Sequence, residues 1–114
     1  MIKMLIFKVL LEKEFSSLRI SGEFKGSKKD LLDGFIHFST KSQLRETLDR
    51  HFNDEKNLIL VAVETQRLGE KLYWEEARDN ELFPHYYGTL RFDDTLWVAP
   101  VTLKGSKHVV PNGF

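Results

Sequence analysis

Four histidines are the side chains of this sequence best suited to catalysis or metal binding. They are His37, His51, His85 and His108. No two of them stand four residues apart, as on a zinc-binding helix, and the chain contains no cysteine. We therefore predict no metal site, no disulfide and no cysteine nucleophile.

Two further catalytic motifs are missing. Gly22 and Gly26 are not followed by the Gly-Lys-Ser/Thr sequence of a phosphate-binding loop, so nucleotide binding of that type is not expected. Ser16, Ser17 and Ser39 lack the flanking glycines of a nucleophile elbow, which argues against a serine hydrolase.

One histidine stands in a chemically suggestive context. His37 lies on a predicted short strand, Phe35 to Phe38, with the hydroxyl residues Ser39 and Thr40 directly behind it. A strand histidine of this kind is either a functional group or a hydrogen-bonded core residue. The two hydroxyls are open to the same choice, because Thr40 and Gln43 have the spacing of a helix capping box.

A second cluster joins Trp74 and Glu75 to an aromatic segment, Phe83 to Gly88. The segment has the sequence Phe-Pro-His-Tyr-Tyr-Gly, and we predict that it forms a binding loop restrained by its Pro and Gly. Aromatic rings such as those of Tyr87 and Trp74 either line a ligand site or pack in a core, and the sequence favours neither.

The elements that must position these residues can be read from the apolar pattern. Met1 to Leu11 predicts a first strand, and Leu58 to Glu64, apolar on both faces, predicts a central strand of a covered sheet. Apolar residues spaced i, i+4 and i+8 predict one main helix over Lys41–Phe52, with Thr40 as its N-cap. Lys8, within the first strand, is interpreted as a lysine that extends its charge to solvent.

The length and composition of the chain indicate which general class of protein it belongs to. The chain has 114 residues, enough for a single domain over 1–114. Seventeen basic residues balance seventeen acidic ones, so nucleic acid is not the expected partner. The longest apolar run, Leu58 to Val63, is far short of the roughly 20 residues that span a bilayer. No membrane association is expected, and we predict a cytoplasmic protein.

The order of three segments resembles a known family. Asp33–Thr40 reads Asp-Gly-Phe-Ile-His-Phe-Ser-Thr, and it is followed by Trp74-Glu75 and by the Phe83–Gly88 segment. This pattern, which covers nearly the whole chain, is similar to the bacterial family called domain of unknown function 952. Genomes often label members of that family glutathione S-transferases, but this chain is about half the length of such enzymes and lacks their βαβ pattern.

The resemblance implies an ADP-ribosyltransferase-like α+β fold. We expect two small, mostly antiparallel sheets that form a split barrel-like core around a cleft, with one main helix. The ligand would be NAD, ADP-ribose or a related phosphoribosyl compound, with NAD as a substrate and no resident cofactor. In this family the first strand frequently carries a histidine where this chain has Lys8.

The resemblance also assigns roles to individual residues. His37 and Glu75 are the implied catalytic residues, since a carboxylate stabilises positive charge as it develops on a ribose. The implied ligand-binding residues are Ser39, Thr40, Trp74, Phe83, His85 and Tyr87. The function predicted is binding of the nucleotide with ADP-ribosyl or phosphoribosyl transfer. The alternative is a non-catalytic module that senses a nucleotide or binds a protein.

Overall fold

A computed structural model describes residues 4–111 of the chain. The strands are β1 (Leu5–Leu10), β2 (Glu23–Phe24), β3 (Ile36–His37), β4 (Leu58–Glu64), β5 (Leu72–Glu76), β6 (Leu82–Tyr86), β7 (Leu90–Arg91), β8 (Thr95–Lys104) and β9 (Lys107–Val109). The α-helices are α1 (Glu12–Ser21), α2 (Lys28–Asp33), α3 (Leu44–His51) and α4 (Thr65–Leu68). Short 3-10 helices cover Gly69–Lys71, Arg78–Asn80 and Phe92–Asp94.

The strands form antiparallel sheets, and the predicted α+β class is confirmed. Within residues 4–111 the strand orders are β1-β4-β8-β9, β2-β7 and β3-β6-β5. The described residues thus form three sheets, whereas two were predicted. The additional sheet is the two-residue pairing of β2, which lies between Gly22 and Gly26, with β7.

The four-stranded sheet carries the core on both of its faces. Val61 and Val63 of β4 join one buried cluster with Leu18 of helix α1, Ile36 of β3 and Tyr86 of β6. Leu58, Leu60 and Ala62 of the same strand join a second cluster beneath helix α3. The prediction that β4 is a central strand covered on both faces is therefore confirmed, because its side chains alternate between two cores.

Strand β1 connects this sheet to the segment that bears the candidate site. On one side β1 pairs with β4, and on the other Phe7 exchanges two backbone hydrogen bonds of 2.8 Å with Ser39. The amide of Phe38 donates to the carbonyl of Pro84 at 3.0 Å, which continues the pairing of β3 with β6. The sheets thus meet along the chain segment that contains His37. Residues 1–3 of the predicted first strand lie outside the described residues.

The helix predicted over Lys41–Phe52 is shorter than expected. The reciprocal bonds of the capping box are present, since the Gln43 amide donates to Thr40 Oγ1 at 3.3 Å and the Thr40 amide to Gln43 Oε1 at 3.0 Å. However, α3 begins only at Leu44 and has eight residues, whereas α1 has ten. Thr40 is therefore not its N-cap, and the expectation of one main helix is wrong. The side-chain nitrogen Nε2 of Gln43 also donates to the backbone carbonyl of Leu82, and this tertiary bond holds the turn that precedes α3.

Helix α2 has no counterpart among the predicted elements. It has six residues, too few for an apolar period to be visible in the sequence. Its ends are well defined, with Ser27 and Asp30 forming a reciprocal capping box and Gly34 ending it at φ 88°, a left-handed conformation that favours glycine. The Asp33-Gly34 turn signal in the sequence marks the end of this helix. No helix within residues 4–111 is long and apolar enough to cross a membrane.

Candidate functional site

A cleft of about 590 Å³ lies where β1, α2, β3, α3 and β6 converge. The segment from Glu76 to Arg78 closes one side of it. Its volume is in the range of ordinary small-molecule sites, and its walls combine apolar rings with a few charged groups, which is the usual composition of such sites.

Asp30 is the charged centre of one wall. Its carboxylate is almost fully buried and accepts from Lys8 Nζ, at 3.1 Å to Oδ1 and 2.9 Å to Oδ2. His37 contributes its backbone amide at 3.1 Å and its ring nitrogen Nδ1 at 2.6 Å, both to Oδ1. The backbone amide of Ser27 completes the set at 2.9 Å. Lys8 is thus a buried partner of Asp30, and its interpretation as a solvent-directed lysine is wrong.

The pKa values of this pair are strongly perturbed. Burial alone would raise the pKa of Asp30, but the hydrogen bond from His37 and the charge of Lys8 lower it well below its usual range. Burial lowers the pKa of Lys8, and the opposing attraction of Asp30 limits that effect. Lys8 and Asp30 therefore form a buried ion pair in which each charge depends on the other.

His37 is held from both sides of its ring. Nδ1 faces Asp30, and Nε2 lies 3.0 Å from Oδ2 of Asp33. Since each ring nitrogen faces a carboxylate, only the imidazolium form can donate to both. In that arrangement both N–H groups are engaged and the ring has no free lone pair, so His37 positions the two carboxylates and is not placed for proton abstraction. The exposed pair of Lys29 with Asp33, at 3.1 Å, holds the second carboxylate.

An aromatic layer covers the next part of the wall. Phe35 stacks on His85 with ring centroids 4.1 Å apart, and it contacts His37 at 4.5 Å and Tyr87 at 5.2 Å. His37 and His85 are opposite one another in the pairing of β3 with β6, and their rings are 5.4 Å apart. The two histidines therefore share one region of the cleft.

Glu75 lies behind this layer. One of its oxygens, Oε1, is 2.8 Å from His85 Nδ1 and accepts from the Tyr87 hydroxyl at 2.8 Å. Burial lowers the pKa of His85, although the hydrogen bond to Glu75 opposes that effect. A neutral His85 that donates from Nδ1 to Glu75 has its lone pair on Nε2. Glu75 thus orients a ring that lines the cleft.

Another part of the cleft wall is made of two hydroxyl groups and a guanidinium group. Ser39 Oγ and Thr47 Oγ1 are 2.7 Å apart, and Arg78 Nη2 donates to Thr47 Oγ1 at 3.0 Å. The Arg78 guanidinium lies over the Phe83 ring, 4.7 Å from its centroid. Two parts of the chain that are distant in sequence, around Ser39 to Thr47 and around Arg78 to Phe83, therefore meet here.

The predicted site residues divide into two groups. His37, Ser39, Phe83 and His85 line the cleft. Thr40, Trp74, Glu75 and Tyr87 do not line it, although the resemblance implied a catalytic role for Glu75 and ligand-binding roles for the other three. The segment Phe83 to Gly88 is not a loop: most of it is strand β6, the middle strand of its sheet, because its apolar side chains are needed in the core.

Asp30, Arg78 and Lys8 line the cleft, but the sequence analysis did not predict them as site residues. Asp30 and Arg78 stand in segments that resemble ordinary polar surface, and Lys8 resembles a strand residue with a solvent-directed charge. The spacing of Ser27 and Asp30, which matches a capping box with Asp in place of Glu, was an available signal for the start of α2. Among the described residues, no group of three or more His, Asp or Glu side chains is arranged to hold a metal ion.

Comparison with known proteins gives a family without an assigned activity. The family model described as "Protein of unknown function (DUF952)" matches residues 9–98. The crystal structure of protein CC0527 from Caulobacter crescentus is similar at 39% identity, with 91% of each chain covered and a TM-score of 0.88. A solution NMR structure of CC0527 is also 39% identical, covers 91% of this chain and 90% of that one, and has a TM-score of 0.82. No curated protein matches the chain.

Proposed function

The chain belongs to the DUF952 family of proteins of unknown function, and we propose that it binds a nucleotide of the NAD or ADP-ribose type in the cleft between β1, α2, β3, α3 and β6. The observation that carries this proposal is the convergence of His37, Ser39, His85 and Phe83 on one cavity of about 590 Å³. Such a volume suits a ligand of nucleotide size.

The chemistry of the walls supports a ribosyl ligand. Ribose hydroxyls need hydrogen-bonding groups at fixed positions, and the Asp33 carboxylate, which lines the cleft 3.0 Å from His37 Nε2, is a fixed acceptor. Ser39, two residues further along, is buried and bonded to Thr47. The rings of Phe83 and Phe35 provide apolar surface against which a base or nicotinamide ring can pack.

The same residues support a relationship to the ADP-ribosyltransferases, which is part of the proposal. A strand histidine followed by a small hydroxyl residue, beside a cleft between antiparallel sheets, is the element that the sequence resemblance implied. In this chain that element is His37 with Ser39 on and after β3.

Binding without turnover is the form of the proposal that the geometry favours. Glu75, the implied catalytic carboxylate, is engaged by His85 and Tyr87 and does not line the cleft. His37 faces a carboxylate at each nitrogen and has no free lone pair as an imidazolium. A nucleotide-sensing role therefore follows more directly than transfer at the ribose C1 carbon, and the catalytic roles of His37 and Glu75 stay predictions.

Isothermal titration calorimetry with ADP-ribose and with NAD tests the proposal. We expect saturable binding of at least one of them, weakened about tenfold or more in His37→Gln, because the ring that positions Asp33 and packs on Phe35 in the cleft wall is lost. His108→Gln is the matched control, because His108 is buried, bonded to the Glu55 carbonyl and absent from the cleft. Failure of both ligands to bind the wild-type protein would refute the proposal, and nicotinamide release from NAD would refute the non-catalytic form of it.

A further inference from the structure

We propose that Arg78 is the anion-binding residue of the cleft, with its Nη1 positioned to take a phosphate group of the ligand. The inference deepens the proposed function and depends on the same cleft. It rests on the geometry of one guanidinium, on the backbone that presents it and on the charges around it.

The first observation is an unpartnered donor. Nη1 of Arg78 is the single buried side-chain nitrogen or oxygen in residues 4–111 that has no hydrogen-bond partner. The rest of the same group is held in place, since Nη2 donates to Thr47 and the guanidinium lies over the Phe83 ring. Buried polar groups are almost always satisfied in folded proteins, so an exception that lines a cleft points to a ligand group.

The second observation is the backbone that presents Arg78. The turn from Ala77 to Glu81 is closed by two hydrogen bonds of 2.9 Å, Ala77 amide to Glu81 carbonyl and Glu81 amide to Arg78 carbonyl. Within it Asp79 and Asn80 both have positive φ, 54° and 61°. Asp and Asn adopt this conformation more readily than other non-glycine residues, and two such residues in succession form the tight turn that joins antiparallel strands. The turn between β5 and β6 therefore fixes the backbone of Arg78 at the edge of the cleft.

The third observation is the sign of the local field. His51, which also lines the cleft, has its pKa lowered first by burial and then by Arg78, Lys29, His37 and Arg50. The four charged groups that lower it are all basic side chains, with Arg78 the largest contributor among them. Two carboxylates of the cleft are already engaged, Asp30 with Lys8 and His37, and Asp33 with Lys29 and His37. Glu14 and Glu76 are the other carboxylates that line it.

A phosphate group fits this arrangement chemically. A guanidinium forms short, charge-assisted hydrogen bonds to phosphate oxygens, and Nη1 has two N–H groups for that purpose. Thr47 fixes the guanidinium by accepting from Nη2, and Ser39 and Thr47 place two hydroxyls beside it. A nucleotide whose ribose lies near His37 would direct its phosphates toward Arg78 along the same cleft.

Inorganic pyrophosphate is the probe that separates this inference from the proposed function. We expect it to bind the wild-type protein and to raise the pKa of His51, measured from the imidazole proton signals by NMR, because a bound anion offsets the surrounding cations. Arg78→Gln should weaken pyrophosphate and ADP-ribose binding by about tenfold to a hundredfold. Arg50→Gln is the matched control: it removes the same charge near His51 from a residue outside the cleft, and it should change affinity less than about fivefold.

Arg78→Lys tests the geometry rather than the charge. Lysine cannot bond Thr47 and a phosphate through a rigid fork, so we expect it to restore only part of the pyrophosphate affinity lost in Arg78→Gln. Full affinity in Arg78→Lys would overturn the assignment to Nη1. The His51 measurement on wild-type protein needs no variant and therefore holds if a substitution prevents folding.

The remaining outcomes separate the two proposals. If ADP-ribose binds the wild type and the folded Arg78→Gln variant equally, Arg78 is not the anion-binding residue, although the proposed function stands. If pyrophosphate binds through Arg78 but neither NAD nor ADP-ribose binds, the anion site stands and the nucleotide proposal fails. If pyrophosphate leaves the His51 pKa and the calorimetric signal unchanged, the anion site is refuted.

Discussion

Replacing Asp30 by Asn is expected to destabilise the protein by about 3–5 kcal/mol at neutral pH, the usual effect of removing one partner of a buried ion pair. The substitution keeps the size of the side chain and one acceptor oxygen, so the capping bond from Ser27 can survive. It removes the charge that compensates Lys8, which lies buried in β1. Because the free energy of unfolding of a typical domain is about 5–15 kcal/mol, this loss is a large fraction of the stability of the protein.

The magnitude follows from the exposure and the contacts of the pair. The Asp30 side chain is 1% exposed and that of Lys8 is 9% exposed, so solvent screens neither charge effectively. Asp30 also accepts from the amide and the ring of His37. An uncharged Asn leaves the Lys8 ammonium buried without a counter-charge, which is the costly outcome, whereas removing both charges together costs much less.

A double-mutant cycle with Lys8→Met tests that reasoning. Met fills a similar volume without charge, so Lys8→Met combined with Asp30→Asn should be more stable than the sum of the single effects by at least about 2 kcal/mol. Urea denaturation followed by tryptophan fluorescence gives each free energy of unfolding. A loss below about 1 kcal/mol in Asp30→Asn, or additive single effects, would refute the account of a mutually dependent buried pair.

The pH dependence has a definite sign. The pKa of Asp30 is lower in the folded protein than its ordinary value of 3.8, so its stabilisation is complete above that value and is lost as the pH falls below it. Asp30→Asn should lack this acid-sensitive component. Lys8 has a lowered pKa, so the unfolded chain binds the extra proton and stability rises with pH below 10.5. Without Asp30 the pKa of Lys8 should fall further, so this rise should begin at a lower pH, and the deficit of the variant should shrink between neutral and alkaline pH.

Three further predictions concern single contacts. Thr40→Ala should lower the free energy of unfolding by about 1 kcal/mol in thermal denaturation and Thr40→Ser by little, because the hydroxyl accepts a capping-box bond; equal losses would contradict this. Gly88→Ala places a Cβ 2.7 Å from the Tyr86 ring and should cost about 1–3 kcal/mol in urea denaturation, whereas unchanged stability would mean that the ring moves freely. Glu75→Gln should lower the raised pKa of Tyr87 toward 10.0 in an ultraviolet titration corrected with Tyr87→Phe, and an unchanged pKa would exclude the Glu75 hydrogen bond as its cause.

Elements whose signal is local were predicted well. The alternation of β4 between two apolar faces identified a covered central strand, and the order of three short motifs identified the family. The Thr40 and Gln43 bonds also form as their spacing indicated. The start of α3 was misplaced because the bond from Gln43 to Leu82, 39 positions away, holds the preceding residues as a turn.

Elements whose role depends on distant partners were predicted poorly. An aromatic segment restrained by Pro and Gly is compatible with a loop, and only its pairing with β3 and β5 makes Phe83 to Gly88 largely a central strand. A lysine in an apolar strand is usually directed to solvent, and only Asp30, 22 positions away, explains why Lys8 is buried. In both cases the residues that determine the structure are distant in sequence, so the local sequence does not indicate them.

The sequence by itself determined the strand alternation, the turn signals and the presence of His37 beside a hydroxyl residue, because these depend on backbone periodicity and on neighbours within a few positions. The tertiary structure alone decided which charges are buried and which carboxylate serves which histidine: Asp30 and Asp33 hold His37, and Glu75 holds His85. The physical reason is desolvation, since a charge can leave water only where the fold supplies a partner at hydrogen-bond distance, and that condition is met in space rather than along the chain.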